Sequence, residues 1–330
     1  MKRRRIVSIA GGVSLGVALP VFGQTTPKVH RIGFLAARSR STPANPDVYY
    51  DAFMAGLREN GLVEGKNLNI EWRYADGIYD RLPALAAELV RMNVAVLVTH
   101  STAGGQAAQR ATSTIPIVIA AALDVIGSGF SRSLSRPDGN ITGLTQMVLD
   151  VTPKQVELLK TMVPGLARIA VLMNRGNSAH PAFLGAVKDV AKRVSVEVRP
   201  AYASSHDEIE PAFLAMALEH PQAVVLAADG FFISQRKLIA ASAIKTRLPL
   251  MSAYREDVEV GALMSYGQNV ADLYRRAASY VQRLLNGAKP HDLPIEQPMN
   301  IHLAINRRTA TALGLTVPME LIGRANEVIE

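Results

Sequence analysis

Strand and helix patterns alternate from one end of this 330-residue chain to the other. That alternation restricts the fold more than any other feature, because it is the signature of a mostly parallel sheet covered by helices on both faces. Residues 29–35 read as the first strand. A helix over 46–60 follows, with Tyr50, Phe53, Met54 and Leu57 on one face and Gly61 as its stop. Leu68, Ile70, Trp72 and Tyr74 alternate with Asn69, Glu71 and Arg73, which predicts a half-buried strand near a sheet edge. Residues 82–92 and 102–111 read as helices, and 94–99, 115–122 and 141–145 as strands. Together they make a first lobe over 29–145.

The pattern then restarts. Thr152-Pro153 predicts a helix start, with a capping hydroxyl and a proline at the first helical position, and Pro164-Gly165 predicts its end. Strands at 168–173, 194–199, 223–228 and 248–252 alternate with helices near 181–193, 207–219 and 234–246, giving a second lobe over 146–267. Asn269 caps a further helix over 269–287 that is expected to return to the first lobe, with Gly287 as stop. Pro290, Pro294 and Pro298 then punctuate a hinge crossing, and 299–330, opened by the alternation of Ile301, Leu303 and Ile305, completes the hinge and second lobe. A length near 300 residues commonly exceeds one compact core, in keeping with two lobes.

The N-terminus reads as an export signal over residues 1–23. Lys2, Arg3, Arg4 and Arg5 form a cationic start, residues 6–22 are apolar, and the cut is placed near Gly23. The apolar run is short and glycine-punctuated for a permanent anchor, since a span needs roughly 20 apolar residues. With no cysteine in the chain, neither a lipidated N-terminal Cys nor a disulfide is available. A soluble periplasmic monomer is expected. Without the signal, 32 basic residues (36 minus the four at positions 2–5) face 28 acidic ones, a net charge of +4. No clustered basic face with interleaved aromatics marks a nucleic-acid binder. An exported chain of this architecture is better read as a receptor for a small solute than as a nucleotide enzyme.

Catalytic and cofactor motifs do not contradict this. Gly12-Val13-Ser14-Leu15-Gly16 fits the nucleophile-elbow pattern but falls inside the signal. Gly104-Gly105 follows a strand without any G-x-G-x-x-G or P-loop spacing. The seven histidines lack metal-ligand spacing and read as surface or packing residues. No cofactor, metal or catalytic constellation is expected.

Open parallel sheets bind ligands beyond the carboxyl ends of their strands, so the strand-to-helix junctions hold the candidates. The first strand ends at Arg38 and Ser39, the third at Ser101 and Thr102, and second-lobe strands at Asn174 and at Asp229 with Phe231. Ser101 and Thr102 suit a ligand carboxylate at a helix start, or simply cap that helix. Asp229 follows an apolar run and either meets the cationic or hydroxyl end of a ligand or caps the next helix. Phe231 walls a pocket or belongs to the core. Arg38, if it faces the cleft, offers an anion a bidentate contact. Asp124 and Tyr254 complete the candidate set.

The stretch from Ala122-Leu123-Asp124-Val125 through Gly127, Gly129 and Phe130, and then Ser133-Leu134 through Pro137-Asp138-Gly139-Asn140-Ile141-Thr142-Gly143, resembles a known signature. It is the D-P-V-G-x-G-L-V-x-S-L-x-x-P-G-G-N-x-T-G pattern of the tryptophan/tyrosine-type ABC transporter substrate-binding proteins. Gly261-Ala262-Leu263-Met264-Ser265-Tyr266-Gly267 and the ending from Ile305-Asn306 to Val317-Pro318 also resemble that family. Val125 and Asp138 depart from its pattern, and the first-strand loop 36–40 lacks the Gln- and His-containing pattern of amino-acid binders. The resemblance implies a type I periplasmic binding fold, two Rossmann-like lobes joined by a multi-crossing hinge that close on a small ligand, an amino acid or an aromatic or other small carboxylate. It further implies delivery to ABC permease subunits. A periplasmic sensory partner of a membrane receptor would share the same fold.

Overall fold

The computed structural model describes residues 29–43 and 46–330; the signal sequence expected over 1–23 lies outside them. Two sheets divide the chain. The first is five-stranded and entirely parallel, in the order β2-β1-β3-β4-β5, built from β1 (His30–Ala36), β2 (Leu68–Tyr74), β3 (Val96–Thr99), β4 (Ile117–Ala122) and β5 (Ile141–Thr145). Its helices are α1 (Val48–Glu59), α2 (Leu82–Arg91) and α3 (Thr102–Ala111). β3 and β4 lie inside the sheet and are buried at every position, hence their apolar sequences, interrupted only by Thr99 at the end of β3, whereas β2 forms the edge and alternates.

The second sheet has seven strands in the order β12-β11-β10-β9-β8-β6-β7. After α4 (Val148–Met162) come β6 (Arg168–Met173), α5 (His180–Arg193), β7 (Glu197–Tyr202), α6 (His206–Leu218), β8 (Ala223–Leu226), α7 (Gly230–Ser234), α8 (Arg236–Lys245), β9 (Leu250–Ser252), α9 (Arg255–Glu259) and β10 (Met264–Gln268). The chain then forms α10 (Val270–Leu285), β11 (Ile301–Asn306), α11 (Arg307–Ala312), α12 (Met319–Arg324) and β12 (Glu327–Ile329). β11 runs antiparallel to β10 and carries β12 parallel to itself, so this sheet is mixed at one edge.

Three local expectations change. α4 begins four residues before Thr152, so Thr152 is no cap; its hydroxyl donates back to the Val148 carbonyl (2.7 Å) and Pro153 sits inside the helix. β7 is displaced to Glu197–Tyr202 because α5 runs on to Arg193, a turn follows, and Ser195 takes a left-handed φ of 56°. The helix expected over 234–246 is two helices broken at Gln235, with the first turn starting at Gly230.

α10 packs on α1 and against β4 and β5, which ties residues 270–285 to the first sheet. Gly56 permits this crossing, since a Cβ there would lie 2.2 Å from the Arg275 carbonyl oxygen. The chain passes between the sheets after β5, after β10 and before β11. Gln268 binds these passages together: Met147 N–H donates to its Oε1 (2.7 Å) and its Nε2 donates to the Pro298 carbonyl. The proline-rich segment first runs beside β5, where Glu296 N–H donates to Gly143 O (3.0 Å) and Thr145 N–H to Glu296 O (2.9 Å).

Candidate functional site

The strands of the two sheets direct several carboxyl ends into one cleft. The narrow cavity there is lined from the first lobe by Arg38, His100 and Ser101, from the second by Asn177, Asp229, Gly230 and Tyr254, and by Gln146 at the crossing between them, with Tyr274 of α10. About 20 Å³ is open to the centre of a water-sized sphere, room for roughly one water. The lobes are closed upon each other. Tyr79 donates to Asp229 Oδ1 (3.0 Å), the Tyr49 hydroxyl donates to Glu256 (2.8 Å), and Ser178 donates to Gln106 (3.2 Å), each across the cleft.

Asp229 is the most thoroughly prepared group. It ends the extended segment after β8 and caps α7, its Oδ1 accepting from Phe231 N–H (2.9 Å). The same oxygen accepts from Asn174 Nδ2 (3.2 Å), and Oδ2 accepts from Asn177 Nδ2 (2.8 Å). These donors are neutral, the residue is 2 % exposed, and His180 Nε2 stands 3.8 Å from Oδ2. Burial and the Asp229 charge raise the Tyr79 phenol well above its ordinary value, which keeps it a donor. Behind Asp229, His180 accepts from Asn174 N–H at Nδ1 (2.9 Å) and its Nε2 faces the Ala228 carbonyl (3.2 Å), so the ring fixes two neighbouring backbone segments.

Across the cavity stands the start of α3. Ser101 is its N-cap, accepting from Gly104 N–H through Oγ (3.2 Å), but its backbone sits at φ 72°, ψ 154°, a region otherwise used almost solely by glycine. Thr102 is buried, its hydroxyl has no hydrogen-bond partner, and it is not among the residues that line the cavity. Gly104 keeps the first turn close to β3: a Cβ there would lie 2.3 Å from Thr99 Oγ1. A helix N-terminus of this kind favours an anion.

Arg38 lines the cavity, yet its fork is turned away from a ligand. Nε and Nη2 donate to the two oxygens of Asp47 (2.6 and 3.1 Å), and Nη1 donates to the Tyr274 hydroxyl (3.1 Å) and faces His100 Nδ1 (3.2 Å). Its guanidinium lies 4.7–5.6 Å from the ring centres of Tyr49, Tyr50 and Tyr274. The bidentate contact expected for an anionic ligand is therefore taken by Asp47. Ala37 N–H points at His100 Nε2 (3.1 Å), so each ring nitrogen confronts an N–H group; burial and then the Arg38 charge hold the imidazole pKa well below its usual value.

The other candidates fall elsewhere. Ser39 is exposed and lines a separate opening rather than the cavity. Phe231 belongs to the core of the second lobe, its ring edge reaching Gly77 of the first. Asn174 acts through Asp229, while Asp124 caps Gly127 (2.7 Å) beside a neighbouring pocket. Tyr254 lines the cavity with its hydroxyl directed to Gln146 (3.4 Å). Sequence reasoning missed Tyr79, Gln146 and Tyr274, and did not single out Asn177 or Gly230 within the junctions it identified. Asn177 lies in a junction already singled out, whereas α10 delivers Tyr274 from a remote stretch that shows only a helical face.

The profile of the ABC transporter substrate binding protein family matches residues 42–329. The chain belongs to that family. These are solute-binding proteins rather than enzymes, and they act in the periplasm or outside the cell. Among the described residues no helix is long and apolar enough to cross a membrane. A tyrosine-binding protein of Clostridioides difficile (strain R20291) is 26% identical over 263 residues, covering 80% of this chain and 75% of the relative. A conserved domain protein from Vibrio cholerae superposes with a TM-score of 0.83 at 28% identity, over 91% of this chain and 100% of that one. A Streptococcus ABC domain in complex with L-Trp gives 0.82 at 25% identity, over 92% and 100%. Both solved folds are two-lobed α/β structures like this substrate-binding protein.

Proposed function

We propose that this family member captures an α-amino acid between its lobes, with the ligand ammonium on Asp229 and its carboxylate at Ser101, Thr102 and the start of α3, and hands it to an ABC permease in the periplasm. The observation that carries the reading is the facing, across one cavity, of a buried carboxylate whose hydrogen-bond donors are neutral and Ser101, the N-cap of α3. The His180 ring stands 3.8 Å from Asp229 Oδ2, beyond hydrogen-bond reach, so a ligand ammonium would relieve the cost of burying this carboxylate. A relative named as a tyrosine-binding protein and a solved relative in complex with L-Trp support an amino acid as ligand.

The cavity as it stands is too narrow for an amino acid, so capture requires the lobes to part and reclose. A thermal-shift comparison of phenylalanine with 3-phenylpropionate and phenethylamine tests the assignment. The amino acid is expected to raise the melting temperature well beyond either fragment. Equal shifts with the acid and the amino acid would remove Asp229 from the role given to it.

A further inference from the structure

Outside the cleft, the mixed edge of the second sheet holds a pocket of about 190 Å³, bounded by β10, β11, the start of α9, the start of α10 and the residues leading into β12. Strand register makes the room: Ser265 stands opposite Ala304 and Gly267 opposite His302, so three small residues line the ladder there. An engineered cavity of about 150 Å³ holds benzene, so this space suits a compound of that size or slightly larger.

The hydrogen-bonding groups of the wall set the class of that compound. Ser265 is 2 % exposed, and its hydroxyl has no hydrogen-bond partner among the described residues although the residue borders open space. Asn269 Oδ1 accepts from Ala271 N–H (3.1 Å) and Asn326 Oδ1 from Leu303 N–H (2.8 Å), which fixes both amides and leaves each Nδ2 free to donate. Glu256 supplies an acceptor: its Oε2 receives the Tyr49 hydroxyl, and its Oε1 has no hydrogen bond among the described residues. The Arg255 charge is already offset, with Nε and Nη2 donating to Glu327 and Nη1 to Glu259. An anion would find that charge spent and the carboxylates of Glu256 and Glu327 in the wall, whereas a cation would face three donors. A neutral molecule with several hydroxyls satisfies both sets, since each hydroxyl donates and accepts.

We infer that this pocket is a second ligand site, separate from the cleft, for a small neutral polyol. The occupant accepts from Ser265, Asn269 and Asn326 and donates to Glu256. Glu256 also receives Tyr49 from the first lobe, and Gln268, which ties the passages between lobes, stands in the same wall. The site thus borders the contacts that set how the lobes meet.

Calorimetric titration with ribitol, and with glutarate and 1,5-diaminopentane as charged chains of the same carbon count, tests the assignment. Ribitol is expected to bind the parent, and neither charged compound to displace it. Ser265→Ala removes a hydroxyl that bonds nothing in the chain, and Asn269→Asp keeps the capping oxygen while losing the amide donor. Both should melt near the parent temperature yet bind ribitol roughly threefold to tenfold more weakly. Asp229→Asn, in the cleft, should bind it as the parent does. The site is overturned if the parent does not bind ribitol, if either charged compound displaces it, if both folded wall variants keep the parent affinity, or if Asp229→Asn weakens binding as much as they do.

Discussion

Tyr79 and Asp229 belong to different lobes, yet the phenol donates to the carboxylate over 3.0 Å at a residue that lines the cavity between them. The same hydroxyl receives Phe231 N–H (3.3 Å), so one tyrosine couples lobe closure to the two groups that begin α7. Tyr79→Phe removes a hydrogen bond to a charged group, worth about 1.5–3 kcal/mol. Ligand affinity is expected to fall roughly tenfold or more, and small-angle scattering should show a larger unliganded radius than the parent. Unchanged affinity and radius would mean that the contact contributes nothing to closure.

Gly230 presses against the first lobe when the cleft is shut. A Cβ there would lie 3.3 Å from the Tyr79 hydroxyl and 3.6 Å from His100 Cε1 and Ala37 Cβ. Gly230→Val should therefore hold the lobes apart: affinity drops by about tenfold or more while the unfolding midpoint stays near that of the parent, because an open molecule accommodates the side chain. Paired titration and denaturation curves check this, and a variant that binds normally contradicts it.

Arg38 and Asp47 form an ion pair with side chains 2 % and 12 % exposed. Removing either partner alone, as Arg38→Met or Asp47→Asn, should cost about 3–5 kcal/mol by leaving a buried charge unpaired. The double variant should recover much of that loss. Urea denaturation of all four proteins measures the coupling; strictly additive losses would show that the two side chains act independently.

Asp257 is buried, receives the Ser252 hydroxyl, and lies 3.3 Å from Arg236 Nε, although neither of those two facing atoms makes a hydrogen bond. Burial pushes its carboxyl up to about 6, against the partial opposition of the Arg236 charge and the Ser252 hydroxyl. The folded state thus holds this proton more tightly than the unfolded chain, so stability falls as pH rises from about 4 through about 6. Relative to Asp257→Asn, the parent should lose up to about 3 kcal/mol across that window. His100 acts in the opposite sense: its folded pKa is depressed, so its contribution is lost as pH falls below about 6.5. Melting curves of parent and Asp257→Asn between pH 4 and 8 separate the two, and a flat difference curve would count against the Asp257 assignment.

Much of the architecture was legible because parallel strands buried on both faces must be continuously apolar: β3, β4, β6 and β8 announce themselves in this way. β2 shows its edge position through its alternation, and Asn269 marks the start of α10. α4 was misplaced because Pro153 reads locally as a helix start, while tertiary packing of Val148, Val151 and Val156 carries the helix a turn earlier. Within the site, Ser101 and Asp229 were legible as junction residues on interior strands. Tyr79 and Tyr274 were not, since their proximity to Asp229 or Arg38 arises from lobe closure and from the return of α10 to the first sheet, which no local pattern encodes. Arg38 was legible as a residue at the end of the first strand, but not its capture by Asp47, nine residues away.

The central claim is that Asp229 holds the ammonium of an amino acid opposite the start of α3. Calorimetric titration of phenylalanine, tyrosine and tryptophan into the parent and Asp229→Asn tests it most directly, with the denaturation midpoint measured on the same samples. Asparagine keeps the size and one acceptor but lacks the charge, so the account predicts a loss of about tenfold to a hundredfold in affinity for the amino acids that bind, with a folded, cooperative variant. Affinity equal to that of the parent in a folded Asp229→Asn protein would contradict the account.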